Sequence, residues 1–457
     1  MIKGYPIIKK ALKKKKMYKL FIVSLSLLLS TIAYSQEFSL FEAQNYALDN
    51  AEKFKREKLE VDIAQKQIIE TRAMGLPQLN SSANFQNFLN LPVQVIDGAF
   101  FGQPGELVDF EAGTEYTSSV GLTVNQLIFD GSYIIGLQVS KFYKEFTADN
   151  LKKTSQEILY DVTRAYELAL VSKQNKYFLD SLVENTEKLY DKQKALFETG
   201  MITAEDVDQI NYALLQAKTN LSTASYSYQN AVAMLKTIMA YPLEDDIILT
   251  DNLSKIMEDA TAPSTTLGEI ENNLDLHLLK QQKQLREYDL KNTKMANVPR
   301  LGAFFNHQYN YFSNDFDIFN TGNRWFYQTV YGLQLNIPIF SSGERWAKTQ
   351  QAKIKVKQNE YAIQELERSL KMQEIQFRND FHAAKEKLEM QEENVILAKK
   401  IYENSLLKSE IGKENSIIVT QKYNQLVTAQ SQYVNAMIEV FTAKLNLDQL
   451  YNKLNRN

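Results

Sequence analysis

Apolar residues recur every seven positions in two separate stretches of the chain. Leu214, Leu221, Tyr228 and Leu235 form the first series, and Leu426, Tyr433, Val440 and Leu447 repeat it 212 residues later. Small residues keep the same register: Ala217, Ala224 and Ala231 correspond to Ala429, Ala436 and Ala443, and Ile238 to Leu450. A heptad with an alanine seam predicts long helices in close approach, and its repetition at a domain-sized spacing predicts a duplicated chain. Ahead of each series lies a second heptad run (Leu182, Leu189, Leu196; Leu388, Val395, Tyr402) within uninterrupted helical pattern over about residues 136–199 and 344–411. At ~1.5 Å per residue such helices reach roughly 95–100 Å. Both stop at a glycine, Gly200 and Gly412, which can take the left-handed conformation that ends a helix. Thr203 with Asp206 then caps the first returning helix, and Asn415 or Ser416 is available to cap the second. Two αα-hairpins with tight tips result.

Elsewhere the period is two. Ser39 with Glu42, and Thr266 with Glu269, read as capping boxes that open helices to about Ala73 and Asn297; each helix ends near a proline, Pro77 or Pro299. Beyond the prolines, Leu79, Ser81, Ala83 and Phe85 alternate with Asn80, Ser82, Asn84 and Gln86. Similar runs follow at Tyr116–Asn125, at Leu301–Tyr309 and, most clearly, at Trp325–Ile337, where Tyr327, Tyr331, Leu333 and Leu335 oppose Gln328, Gln334 and Asn336. Such alternation describes either a half-buried soluble sheet or a membrane sheet with one face to lipid and one to a lumen. Runs of this length suit a tilted membrane strand. Four strands alone would leave open edges in a bilayer, so closure would need several copies of the chain. Tyr116, Trp325, Tyr327 and Tyr331, placed near strand starts, fit an interfacial aromatic girdle. Gly98 to Gly105 falls in the loop joining the first two strands. The repeats therefore divide the chain into residues 36–240 and 266–457, with 241–265, marked by Pro242, Pro263 and an acidic run, as a connector.

Composition sharpens the compartment. A lysine-rich start precedes the apolar run Leu20–Ile32 and then Ala33-Tyr34-Ser35, the pattern of a signal peptide over residues 1–35, with Met1 or Met17 as the start. With its eight lysines removed, 44 of the 52 basic residues would face 55 acidic ones, a balance that argues against a nucleic-acid partner. The chain has no cysteine, which excludes disulfides, thiolate metal sites and a lipidated N-terminal cysteine. His277, His307 and His382 fall on three different expected elements, and no phosphate-binding glycine loop or paired nucleophile and base occurs. No enzyme activity, cofactor or metal is expected.

The opening Leu-Phe-Glu-Ala-Gln-Asn-Tyr-Ala-Leu (40–48), Gly75-Leu76-Pro77-Gln78-Leu79, the duplication and Gly200-Met201-Ile202-Thr203-Ala204-Glu205-Asp206-Val207 together resemble the TolC-like outer-membrane efflux proteins over about residues 37–455. The resemblance implies a mainly α protein with membrane β, in duplicated β-β-α-α halves. It implies a homotrimer closing a 12-stranded β-barrel in the outer-membrane lipid, continuous with a long α-helical coiled-coil barrel across the periplasm. It implies a duct of a tripartite efflux or type I secretion system, partnered by a periplasmic membrane-fusion adaptor and an inner-membrane pump of RND or ABC type. By the same resemblance the adaptor docks at the tips, here Gly200, Met201, Ile202, Thr203, Asp206 and Gly412. The chain departs from the family in two places. Acidic residues that narrow the entrance in well-studied members are replaced by Ile417, Ile418, Val419 and Thr420, leaving Glu410 and Glu414 as possible entrance acids. The partners that latch the family's tip aspartate are replaced by Ser409 and Glu414. The competing reading is a soluble exported coiled-coil adaptor or scaffold, although adaptors carry one hairpin flanked by β-domains rather than two hairpins.

Overall fold

The computed structural model describes residues 36–102, 104–262, 268–320, 322 and 324–454. The expected signal peptide, and Thr266 and Leu267 of the second expected cap, lie outside the described residues. The first half runs β1 (Gln36–Phe38), α1 (Leu40–Asn50), α2 (Glu52–Ala73), β2 (Gln78–Asn87), β3 (Val93–Asp97), β4 (Leu107–Glu111), β5 (Tyr116–Phe129), α3 (Gly131–Glu198) and α4 (Ala204–Met239). Then come β6 (Ile247–Leu249), α5 (Leu253–Thr261), α6 (Leu274–Met295), β7 (Arg300–Ser313), β8 (Phe326–Asn336), α7 (Glu344–Glu410) and α8 (Ser416–Leu450). Contacts gather these into two units, each drawn from both halves of the chain. One comprises the residues up to Arg56, Lys152–Asn273 and Ser369 onward; the other comprises Glu57–Leu151 and Leu274–Arg368.

The second unit is built on an antiparallel sheet in the order β2-β5-β7-β8, with β2 and β8 as open edges. Its register carries the alternation of each strand onto a common face. Phe85 pairs with Ser118, Val120 with Tyr309, and Tyr309 with Tyr327, so one face is apolar and aromatic across all four strands. The other face carries the amides and hydroxyls of β2 and β5, with Phe304, Phe312, Phe326 and Val330 interspersed among Asn306, Gln308 and Gln328 on β7 and β8. Rings cluster where the β7–β8 loop leaves the sheet: Phe85 stacks on Tyr116 at 6.1 Å, both meet Phe316, and Tyr311 lies 5.3 Å from Trp325. Tyr331 is not part of this belt, because it sits mid-strand opposite Phe305. The expected loop at Gly98–Gly105 is the end of a separate small sheet, β3 paired with β4, which the glycine-rich composition concealed. Gly75 is required by close approach, since a Cβ there would fall on the Tyr133 ring.

The first unit holds the long hairpins. Its core packs Phe38, Ala43, Ala47 and Leu48 against Val162, Ala165, Tyr166 and Ala169 of α3 and Leu235 and Met239 of α4. Tyr166 donates from its hydroxyl to the Phe38 carbonyl at 2.8 Å, which fixes β1 where it pairs in parallel with β6. Both alanine seams are buried, Ala217, Ala224 and Ala231 on α4 and Ala429, Ala436 and Ala443 on α8; they let helices approach closely, which a larger side chain would prevent.

Two helix starts differ from the reading of the sequence. The Ser39–Glu42 capping box forms, but the helix breaks at Ala51 (ψ 125°) before resuming at Glu52. At this break the Asn50 side-chain amide donates to the Tyr46 carbonyl at 3.0 Å. Glu269 makes no side-chain cap; a 3₁₀ turn, Ile270–Asn272, intervenes, and α6 starts only at Leu274. There the buried Asn273 donates its side-chain amide to the Leu450 carbonyl.

Candidate functional site

Both hairpin tips lie in the first unit, and the same backbone motif builds each. At the first, Gly200 (φ 75°) donates to the Phe197 carbonyl and Met201 to that of Leu196. At the second, Gly412 (φ 70°) donates to Ser409 and Lys413 to Lys408. This double bond pattern with a left-handed residue is the Schellman motif, which satisfies the last carbonyls of a helix. The duplication extends to the far ends of the returning helices. Ala240 and Asn452, again 212 apart, both have φ 56° and close the same motif, now without glycine.

The caps that follow the tips differ. Thr203 and Asp206 form a reciprocal box, Asp206 N donating to Thr203 Oγ1 at 3.2 Å and Thr203 Oγ1 to Asp206 Oδ2 at 2.7 Å. Of the two candidates at the second turn, Asn415 is the cap, accepting from Ile418 N at 3.1 Å. The hydroxyl of Thr203 holds the Asp206 carboxyl below the usual carboxylate range, against the opposing effect of partial burial. Ser416 at the start of α8 lowers it further, to a smaller extent. The hydrogen bonds of Asp206 are those of the Thr203 box, within its own hairpin. Sequence comparison looked for its partner at positions 409 and 414, but neither contributes.

Those positions have other roles. Ser409 accepts from Gln193 Nε2 at 3.2 Å, Lys192 Nζ lies 3.2 Å from Glu410, and one Glu414 oxygen is buried without a hydrogen-bond partner. Farther from the tips, Tyr402 and Thr186 meet at 3.4 Å, and Tyr402 joins a four-helix cluster with Leu182, Leu189, Leu214 and Leu426. The ties nearest the tip are weak: an exposed ion pair contributes ~0–1 kcal/mol and a neutral hydrogen bond about 1 kcal/mol. The cluster behind them buries several large apolar side chains at ~1.5–3 kcal/mol each.

Met201 is 73% exposed and Ile417 56%, so the tips present apolar side chains that nothing in the chain covers. An open groove of about 770 Å³ lies alongside, lined by Gln209, Asn394, Leu397, Ile417, Gln421 and Gln425. Among the described residues no cluster of three metal-ligating side chains occurs. His277 instead pairs with Asp149 at 3.1 Å and His307 with Thr329 at 2.7 Å.

A duplicated chain with paired amphipathic strands and two helix hairpins of this length defines an outer-membrane channel subunit. The profile of the outer membrane efflux protein family matches residues 44–240 and 269–453. The chain belongs to that family. It is therefore an outer-membrane efflux channel, and its compartment is the outer membrane. It is 21% identical over 437 residues to the outer membrane protein TolC of Vibrio cholerae, covering 95% of each chain. It is 22% identical over 341 residues to the alkaline protease secretion protein AprF of Pseudomonas aeruginosa, covering 74% of this chain and 68% of that one. Its fold is similar to the CmeC outer membrane channel of Campylobacter jejuni (TM-score 0.68, 16% identity, 90% of this chain and 85% of that one). The MtrE channel of Neisseria gonorrhoeae is also similar (TM-score 0.65, 15% identity, 91% and 88%).

Proposed function

We propose that three copies of this chain form a passive duct, closing a 12-stranded barrel in the outer membrane that continues into a helical tunnel. In this reading the duct carries cargo handed over by a periplasmic adaptor and an inner-membrane pump, and it hydrolyses nothing. The observation that carries the reading is the sheet itself: one face apolar and aromatic, the other rich in amides and hydroxyls, and both edge strands, β2 and β8, unpaired among the described residues. A bilayer does not tolerate open edges, and further copies of the same sheet supply the missing partners. The adaptor would dock at the two glycine tips, where Gly200 and Gly412 allow the sharp reversal and Met201, Ile202, Thr203 and Asp206 offer the contact surface. Opening would separate the tips by releasing Lys192–Glu410 and Gln193–Ser409, with Glu410 and Glu414 as the carboxylates nearest the entrance.

The kinship with AprF, named for protease secretion, favours an exported polypeptide as one class of cargo. The docking assignment is tested by Gly200→Val and Gly412→Val. Each should abolish export and adaptor pull-down while leaving the protein in the outer-membrane fraction. Normal export and pull-down in both variants would defeat the assignment.

A further inference from the structure

Each unit carries an extended exposed surface with little or no charge. On the polar face of the sheet stand Asn80, Asn84, Asn306, Gln308, Gln328 and Gln334. The charged residue on that face is Arg300, at the start of β7, and it lies 3.4 Å from Asp130. In the first unit, α4 carries no acidic or basic residue from Thr219 to Leu235, and α8 none from Tyr423 to Ile438. Their exposed positions include Thr223, Ser227, Gln229, Asn424, Gln425 and Gln432, with Tyr226 and Met234 also exposed on α4. Of the charges that border these runs, Lys218 pairs with Glu187 at 2.8 Å, Glu439 with Lys387 at 2.7 Å, Lys236 donates to the Leu243 carbonyl at 3.3 Å, and Lys422 donates to Gln425 Oε1 at 3.4 Å.

Composition alone does not explain this. The outgoing helices α3 and α7 carry Lys and Glu throughout. Exposed helix positions are best filled by Lys, Glu, Gln and Arg, whereas Asn, Ser and Thr are poorer helix formers. A neutral exposed stripe on exactly the returning helices runs against propensity. Many of its hydroxyls also turn their protons inward, Thr223 to the Thr219 carbonyl at 3.0 Å, Ser227 to Thr223 at 2.9 Å and Thr428 to Asn424 at 2.8 Å. What remains outward is a wettable surface with no fixed field.

We infer that these two surfaces line the conduit, and that the conduit is indifferent to the sign of its cargo. Pores select by rings of fixed charge; walls of amide and hydroxyl hydrate cations, anions and polypeptide segments alike. This inference rests on the duct reading above. The test is the reversal potential of purified, detergent-extracted protein in planar bilayers under a KCl gradient. The wild type should show a potassium-to-chloride permeability ratio close to unity. Gln328→Glu on β8 and Asn424→Asp on α8 should each raise it about five- to seventyfold, the range three unit charges about 10 Å from an axis give with and without screening at ~0.1 M salt, since potassium is enriched and chloride depleted by the same factor. Gln364→Glu, on α7 beside Glu365 and Glu367, should leave it unchanged. A strongly cation-selective wild type, or no shift in Gln328→Glu and Asn424→Asp, overturns the inference while leaving the duct intact. Dissociation of the oligomer by Asn424→Asp also overturns it, because the stripe is then a contact between copies. Absence of any conductance removes the duct reading itself.

Discussion

Glu167 on α3 is 8% exposed, and one of its carboxylate oxygens has no hydrogen-bond partner. Burial pushes its carboxyl up to about 8, Asp448 on α8 adds to the rise, and Lys444 opposes it while paired to Asp448 at 2.5 Å. The folded protein therefore holds a proton that the unfolded chain releases near pH 4.5. The stabilisation is fully present below pH 4.5 and is lost as pH rises toward 8, at about 1.4 kcal/mol per pH unit. Between pH 5 and 7.5 the loss is roughly 3 kcal/mol. Glu167→Gln keeps the shape and removes the titration. Its amide brings a donor that lacks an acceptor, a constant cost of ~1–3 kcal/mol that does not vary with pH. The readout is thus the difference in pH dependence. Guanidinium unfolding followed by far-ultraviolet circular dichroism, at fixed protein and detergent concentration, should show the stability of Glu167→Gln relative to wild type improving by roughly 3 kcal/mol from pH 5 to 7.5. A constant gap, or one that moves the other way, would refute the assignment of a buried, protonated glutamate.

Other perturbations have sharp outcomes. Ala240→Gly relieves a non-glycine residue at φ 56° and should stabilise the protein by about 1 kcal/mol in the same unfolding assay. Asn415→Ala removes the cap of α8 and should cost ~1 kcal/mol, read as faster amide exchange at Ile417–Val419 with no change near Thr203. Gly268→Val would drive its side chain into the Tyr451 ring and should detach the C-terminal turn, raising proteolysis after Tyr451.

The sequence carried the long-range plan because that plan is periodic. Heptads at 3.6-type spacing, strands at spacing two and matched glycines at 200 and 412 each leave a signal that one side chain cannot hide. Features without a period were not legible. The break at Ala51 is a single residue in extended ψ within an otherwise helical pattern, and one residue leaves no periodic signal. The β3–β4 hairpin is short and lies in a loop whose glycines suggested only irregular chain. At the tips, the residues were read correctly as turn and cap, since Gly200, Gly412, Thr203 and Asp206 form the expected local geometry. The pairing of Gln193 with Ser409 and of Lys192 with Glu410 was not legible, because tertiary contacts between hairpins depend on side-chain placement rather than spacing.

The central claim is that the open edges of one sheet are closed by other copies. The chain has no native cysteine, so paired substitutions can report it cleanly. With cysteines placed on the two edges, Asn84→Cys on β2 and a scan from Gln328→Cys to Gln334→Cys on β8, oxidation in isolated outer membranes should give a ladder that stops at three chains on denaturing gels. Cross-linked monomers alone, an unbounded ladder or no bridge at any register would contradict the account.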